Sequence, residues 1–238
     1  MKILYIFPHP DDESFGPAGA IHPQVKAGHE VYLLTLTKGG ATKVRHQLGL
    51  SIAEMGSVRF KEMQAVQKVL GIKEMHVLDY EDGGLSYLNP IELEELIAEW
   101  IFRIKPNILV TYPVHGGSGH HDHIALHAAV NHVYHHYKPK SDFLKRLAFF
   151  TLPDTGKPMF IEQGVPRVTW TPLEKIGVIV QLSNEDIEVM KNALLCYETY
   201  QEMVKTTKVI EHIGDKVHFQ LASEYPSTPF ASLTEGIK

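Results

Sequence analysis

Four short apolar runs, each followed by a stretch of helical spacing, constrain this chain more than any other feature. Ile3-Leu4-Tyr5-Ile6-Phe7, Val31 to Thr37, Met75-His76-Val77-Leu78 and Ile108-Leu109-Val110-Thr111 read as buried strands. The turn-like Ser14-Phe15-Gly16-Pro17 leads into a helix that reaches about Gly28. Met63, Val66, Val69 and Leu70 recur at helical spacing between Val58 and Leu70, and Gly71 supplies a stop. Asn89-Pro90 opens a helix with Leu93, Leu96, Ile97, Trp100 and Ile101 on one face, and another helix is expected from about Asp122 to Tyr137. This alternation predicts an α/β fold: a mostly parallel sheet with right-handed crossovers, flanked by helices. Residues 41–55 show no strong period and are expected to form a mobile loop near the site. Beyond residue 137 the pattern is less regular, with strands near 146–152 and 176–182, a helix from Glu185 to about Thr206 and a last strand near 216–222. Pro139 and Pro153 mark loops, not a linker. Residues 1–238 therefore read as one domain, with a core over about 1–137 and a C-terminal extension over about 138–238.

Composition removes several classes of function. A net charge of −5 and the lack of a dense Lys/Arg stripe argue against a nucleic-acid partner. The single cysteine, Cys196, excludes an intrachain disulfide and a cysteine metal cage, and reads as a buried structural thiol on a helix. No segment approaches the roughly 20 apolar residues of a membrane helix, and the N-terminus lacks the pattern of a signal peptide. A cytoplasmic protein without a membrane partner is expected. Fifteen histidines are unusual for this length, and their placement needs a reason.

Two clusters supply one. His9-Pro10-Asp11-Asp12-Glu13 follows the first strand, and His120-His121-Asp122-His123 follows the fourth. Ligands of open α/β sheets bind outside the carboxyl ends of the strands. Three adjacent carboxylates repel one another, and a cation reconciles them. A catalytic zinc takes three protein ligands from His and carboxylate and keeps an open position. His9 and Asp12 can converge from one strand-to-helix turn, and His123 completes the set. Asp11, beside a ligand, suits a general base. His120 suits stabilisation of an oxyanion, and Asp122 suits holding an imidazole in one tautomer.

Each cluster alone also has a simpler explanation. Asp11 or Asp12 can cap a helix with Glu13 in its first turn, and residues 120–123 can be a solvated helix start. Both clusters falling after predicted parallel strands favours the metal site. His123 and His127 are four apart, but Ile124 stands where the zinc-protease pattern has Glu. His127, His132, His135 and His136 read as surface residues, and His115 is the one further histidine near the site.

HPDDE after the first strand, with H-x-D-H (His120, Asp122, His123) after the fourth, resembles the PIG-L/LmbE-like zinc N-deacetylases. Arg59-Phe60-Lys61-Glu62 with Leu70-Gly71, and Tyr80-Glu81-Asp82-Gly83-Gly84-Leu85, resemble two further family segments, so the likeness covers about residues 1–137. The C-terminal part matches only around Tyr197 to Gln201. The resemblance implies a Rossmann-like fold that deacetylates an N-acetylglucosamine unit. It implies zinc on His9, Asp12 and His123, with iron(II) as the alternative. It also implies Asp11 as base, His120 at the oxyanion and leaving group, Arg59 as a substrate-holding residue, and a homo-oligomer. The sequence departs from the family pattern at His121 (often Pro), Gly40 (often acidic) and Pro17 (commonly small).

The expected activity is metal-dependent hydrolysis of an N-acetylglucosaminyl small molecule to acetate and a free amine. An amidase acting on a thiol-conjugated glucosaminide is the alternative within that class. A non-catalytic metal- or sugar-binding protein of the same fold is the alternative outside it. A dinucleotide-binding regulator fails, because no G-x-G-x-x-G follows the first strand.

Overall fold

A computed structural model describes residues 1–156, 161, 162, 165, 166, 168–212 and 214–237. Its central strand, β1 (Lys2–Phe7), pairs in parallel with β2 (Glu30–Thr37) on one side and β4 (Ile108–Thr111) on the other. Strand β3 (Glu74–Tyr80) extends the sheet beyond β2, and β5 (Arg146–Pro153) extends it in parallel beyond β4. The two-residue β6 (Trp170–Thr171) lies beside β5, and β7 (Ile176–Gln181) and β8 (Lys216–Leu221) close the far edge antiparallel. The order is β3-β2-β1-β4-β5-β8-β7. The chain leaves β1 towards β2 and β3, then returns to β1's other side as β4. That reversal opens a crevice at the carboxyl ends of β1 and β4.

Alternation along β1 divides the core. Ile3, Tyr5 and Phe7 pack with Val31, Leu33 and Met63 on one face. Leu4 and Ile6 pack with Leu34, Ile97 and Leu126 on the other. Burial on both faces is why β1 and β2 read as continuous apolar runs. Helices α2 (Ala18–Lys26), α4 (Ile52–Leu70) and α7 (Asn184–Leu195) cover the first face. Helices α5 (Pro90–Ile104) and α6 (His121–Tyr137) cover the second. Asn89 caps α5 by accepting from the Ile91 N–H, and Pro90 takes a first-turn position where no amide donor is needed.

Two expectations are corrected. Residues 41–55 hold a short helix, α3 (Val44–Leu48), and the first turn of α4. Helix α4 starts at Ile52 because Ser51 and Glu54 form a capping box. Ser51, Ile52, Ala53 and Glu54 are all exposed, so no apolar period marks that turn. The expected helix from Glu185 to Thr206 is broken: α7 ends at Leu195, Tyr197 is non-helical (φ −83°, ψ 74°), and α8 (Gln201–Thr207) follows. The Tyr197 ring is drawn wholly into the core, a tertiary pull that outweighs local helix propensity. Among the described residues no helix is long and apolar enough to cross a membrane.

Candidate metal centre and active site

The first half of the site is built by the turn after β1. Asp11 is held at φ 85°, ψ −25°, a left-handed conformation that costs a non-glycine residue about 1–2 kcal/mol. Its carbonyl accepts from the Ser14 and Phe15 amides at 2.8 Å, which begins α1 (Asp12–Phe15). Its own amide donates to the Tyr197 hydroxyl at 2.8 Å. Asp11 thus occupies the N-cap position without using its side chain as a cap. The carboxylate instead accepts from Arg59 at 2.8 Å. The reversed turn sends Asp11 towards α4 and Asp12 towards β4.

The second half comes from the segment between β4 and α6. Gly116, Gly117 and Gly119 all have positive φ, so the chain folds tightly before His120. A Cβ on Gly116 would lie 2.9 Å from that of His123. The closeness is used: His123 Nδ1 donates to the Gly116 carbonyl at 2.8 Å, which turns Nε2 inward. From the C-terminal extension, the Thr169 amide donates to the Gly117 carbonyl at 2.6 Å, and Thr171 meets His115 Nε2 at 3.3 Å.

The two halves bring His9, Asp12 and His123 face to face. His9 Nδ1 lies 3.3 Å from His123 Nε2. Asp12 Oδ2 lies 3.7 Å from His9 Nδ1, and Asp12 Oδ1 lies 3.5 Å from His123 Nε2. Tetrahedral ligands about 2.1 Å from one ion stand roughly 3.4 Å apart, so the His9–His123 separation of 3.3 Å fits two ligands of one divalent metal, with one Asp12 oxygen near each imidazole. The outer contacts fit as well. His9 Nε2 lies 3.1 Å from Asp122 Oδ2, which fixes its proton there and leaves the Nδ1 lone pair facing inward. Asp122 is fully buried and also accepts from the Gly83 and Leu85 amides at 2.9 and 3.0 Å. Asp12 accepts from the Tyr112 hydroxyl at 2.7 Å and the His9 amide at 2.9 Å. Burial, then the neighbouring His9, push the His123 imidazole down to about 4, so it is a free lone-pair donor at neutral pH. His120 adjoins the same group, since His9, His120 and His123 each offer a nitrogen within 4.8 Å of the others.

His120 Nδ1 accepts from the Asp122 amide at 3.2 Å, leaving its proton on Nε2. Its pKa is lowered, first by burial and then by His9 and His123. Neutral His120 is therefore a hydrogen-bond donor to whatever lies in front of it. The pKa of Asp11 is raised, mainly because burial disfavours its charge, while Arg59 opposes that shift and Asp12 adds to it.

A cavity of about 530 Å³ opens over these groups, within the range of small-molecule sites. His9, Asp11, Asp12, Arg59, His120 and His123 line it, and Asp122 lies beneath. Arg59 is almost wholly buried, donating to the Pro10 carbonyl at 2.8 Å as well as to Asp11. Its guanidinium lies 4.0 Å from the centre of the Tyr200 ring and 5.4 Å from that of Tyr197. His115 does not line the cavity. His132, His135 and His136 are exposed, whereas His127 is half-buried and bonds the Tyr112 carbonyl at 2.9 Å. Two of the three departures from the family pattern, at Gly40 and His121, have a local setting that fits them. A side chain at Gly40 would collide with the Ile52 carbonyl oxygen, and His121 Nε2 meets the Gly83 carbonyl at 3.1 Å.

Sequence reasoning missed four residues. Asp82 lines the cavity with Oδ1 3.4 Å from His9 Nε2, and the D-G signal of its loop could have marked it. Tyr112 has no spacing signal that ties it to the site, and the family likeness around Tyr197 to Gln201 assigned no role to Tyr197 or Tyr200.

The profile of the PIG-L family, described as GlcNAc-PI de-N-acetylase, matches residues 4–134. A probable N-acetyl-alpha-D-glucosaminyl L-malate deacetylase 2 of Bacillus anthracis is 28% identical over 160 residues, covering 66% of this chain and 63% of that protein. A 1D-myo-inositol 2-acetamido-2-deoxy-alpha-D-glucopyranoside deacetylase of Nakamurella multipartita is 31% identical over 155 residues, covering 54% of this chain and 53% of that protein. The matches thus span under two thirds of these relatives. Among solved structures, a deacetylase of teicoplanin biosynthesis superposes with a TM-score of 0.70 at 16% identity, over 93% of this chain and 97% of its own. The 4-carboxy-2-hydroxymuconate hydratase GalB of Pseudomonas putida superposes with 0.65 at 14% identity, over 97% and 99%. The fold therefore carries more than one chemistry, and the site must decide between them.

Proposed function

The chain belongs to the PIG-L family of de-N-acetylases, and from that premise we propose that it hydrolyses the acetamide of an N-acetylglucosaminyl small molecule to acetate and a free amine. The observation that carries the reading is the convergence of His9, Asp12 and His123 at 3.3 to 3.7 Å, with the Asp11 carboxylate beside them. We assign the metal to His9, Asp12 and His123, zinc being the first choice and iron(II) the alternative. A bound divalent metal supplies Lewis acidity, polarising the acyl carbonyl and acidifying the attacking water.

The chain's own groups do the rest. Asp11 accepts a proton from the water as its oxygen attacks the acyl carbon, and Arg59 keeps that carboxylate aimed into the cavity. His120 donates its Nε2 hydrogen to the developing oxyanion. Asp122 holds His9 in the tautomer that leaves Nδ1 free. As the carbon–nitrogen bond breaks, the proton taken up by Asp11 is available to the departing amine. Arg59 also lines the cavity, and we keep it as a substrate-holding group.

We take residues 1–238 as one functional domain, because β5, β7 and β8 of the C-terminal part extend the same sheet and Tyr197 and Tyr200 complete the site. Its single cysteine fits the cytoplasm. Activity on a thiol-conjugated glucosaminide would keep this machinery and change only the outer cavity. Amine release from a panel of N-acetylglucosaminides, by metal-free and metal-loaded protein, tests the reading. Metal-dependent release supports it. Stoichiometric metal binding without release from any of them returns the chain to a binding role.

A further inference from the structure

The two cations that line the cavity, Arg59 and Lys43, are not equivalent. Arg59 is buried at the base of the cavity, and its Nη2 donates to Asp11 and to the Pro10 carbonyl, both at 2.8 Å. Lys43 is exposed at the mouth, and no carboxylate of the described residues pairs with it. Its neighbour on the strand side, Lys38, is by contrast tied to Asp79 at 3.0 Å.

The backbone that carries Lys43 is nonetheless fixed. The Ala41 amide donates to Asp82 Oδ2 at 2.8 Å, and the Tyr200 hydroxyl donates to Thr42 Oγ1 at 2.9 Å. The two residues before Lys43 are thus fastened to two different walls of the cavity, and α3 begins directly after it. An uncommitted ammonium group on a pinned segment is a recognition element already paid for in backbone entropy. The cavity of about 530 Å³ leaves room beyond one acetamido sugar for an aglycone on the side of Lys43.

Resting on the deacetylase reading, we propose that Lys43 selects N-acetylglucosaminides whose aglycone is anionic, by pairing with a carboxylate or phosphate at the cavity mouth. The inner carboxylates do not oppose this. Asp11 pairs with Arg59, Asp12 faces the imidazoles of His9 and His123, and Asp82 is turned to His9 Nε2 at 3.4 Å and to the Ala41 amide at 2.8 Å.

Binding and turnover test it separately on the zinc-loaded full chain. Calorimetry compares glucosaminyl malate (carboxylates), glucosamine 1-phosphate (phosphate) and methyl glucosaminide (neutral). Wild type binds the anionic compounds more tightly, and the stronger of the two identifies the group recognised. Lys43→Ala weakens anionic binding about fivefold and leaves the neutral glycoside unchanged, a magnitude set by one part-exposed ion pair. Lys43→Arg retains the preference, and raising salt from about 0.05 M to about 0.5 M erodes it. With the acetylated substrates, Lys43→Ala raises KM for the anionic ones at constant kcat. Equal wild-type affinity for all three glycosides, or equal weakening of all three by Lys43→Ala, overturns the proposal. Failure of the deacetylase reading looks different: no amine release from any substrate, whatever the binding contrast.

Discussion

Asp122 Oδ2 stands 3.1 Å from Nε2 of His9, on the side of the imidazole away from Asp12 and His123. Asp122 is buried with its oxygens taken up by His9 Nε2 and by the Gly83 and Leu85 amides, and in the proposed site it sets which His9 nitrogen is free. Asp122→Asn presents an amide that can donate to Nε2 and so favours the wrong tautomer. The expected result is a metal affinity about 10- to 100-fold lower, read by competition with a chelator. Unchanged affinity would remove Asp122 from the metal's support.

Gly116→Ala tests the other imidazole. Its φ of +65° disfavours alanine, and the new methyl would press on the His123 Cβ. A loss of about 1–2 kcal/mol in urea unfolding is expected, with weakened metal binding because Nδ1 of His123 loses its carbonyl partner. Wild-type stability and wild-type affinity together would contradict that geometry.

Tyr197→Phe removes the acceptor of the strained Asp11 amide and the donor to Glu13, 2.6 Å away. Leaving the Asp11 amide without its acceptor, and Glu13 Oε1 with only the Ser14 hydroxyl at 2.8 Å, should cost about 1–3 kcal/mol of stability. Because Asp11 loses its fixed orientation, kcat should fall more than KM rises. A variant that unfolds like wild type and keeps its kcat would detach the C-terminal extension from the site.

The two parts of the molecule are also joined away from the site. His22 of α2 meets Asp186 of α7 at 2.6 Å, and Asp186 completes the capping box with Ser183. Burial pushes the Asp186 carboxyl up, but hydrogen bonds from Ser183 and His22 outweigh it and hold its pKa below the usual aspartate value. A lowered native pKa means stability present above the unfolded-state pKa and lost as pH falls through the native one. Asp186→Ala should therefore cost about 1 kcal/mol at neutral pH, with the deficit shrinking below about pH 4. A deficit that is constant with pH would show that the charge plays no part.

The fold was legible because β1, β2 and β4 are buried on both faces and keep continuous apolar runs between helices. The inner site was legible for a related reason. HPDDE and H-x-D-H concentrate His and Asp on short turns after strands, where local sequence dictates position. The rest depends on distant packing. Tyr197 leaves the helical pattern because its hydroxyl is held between Asp11 and Glu13, a contact no local period encodes. Arg59 stands on a helix face like any other polar residue; the family resemblance marked it, but its contacts with Asp11 and Tyr200 follow only from distant packing. The exposed first turn of α4 hid its start from hydrophobic spacing, though its capping box was there to be read.

The most direct test of the mechanism compares wild type with Asp11→Asn, both stripped of metal and reconstituted with zinc, measuring amine release and bound zinc on the same samples. Asparagine keeps the shape of Asp11 and cannot take a proton from water. The expected result is zinc-dependent release by wild type, near-complete loss of release in Asp11→Asn, and equal zinc in both. Release by the variant at a rate close to wild type, with zinc bound, would contradict the assignment of Asp11 as the base.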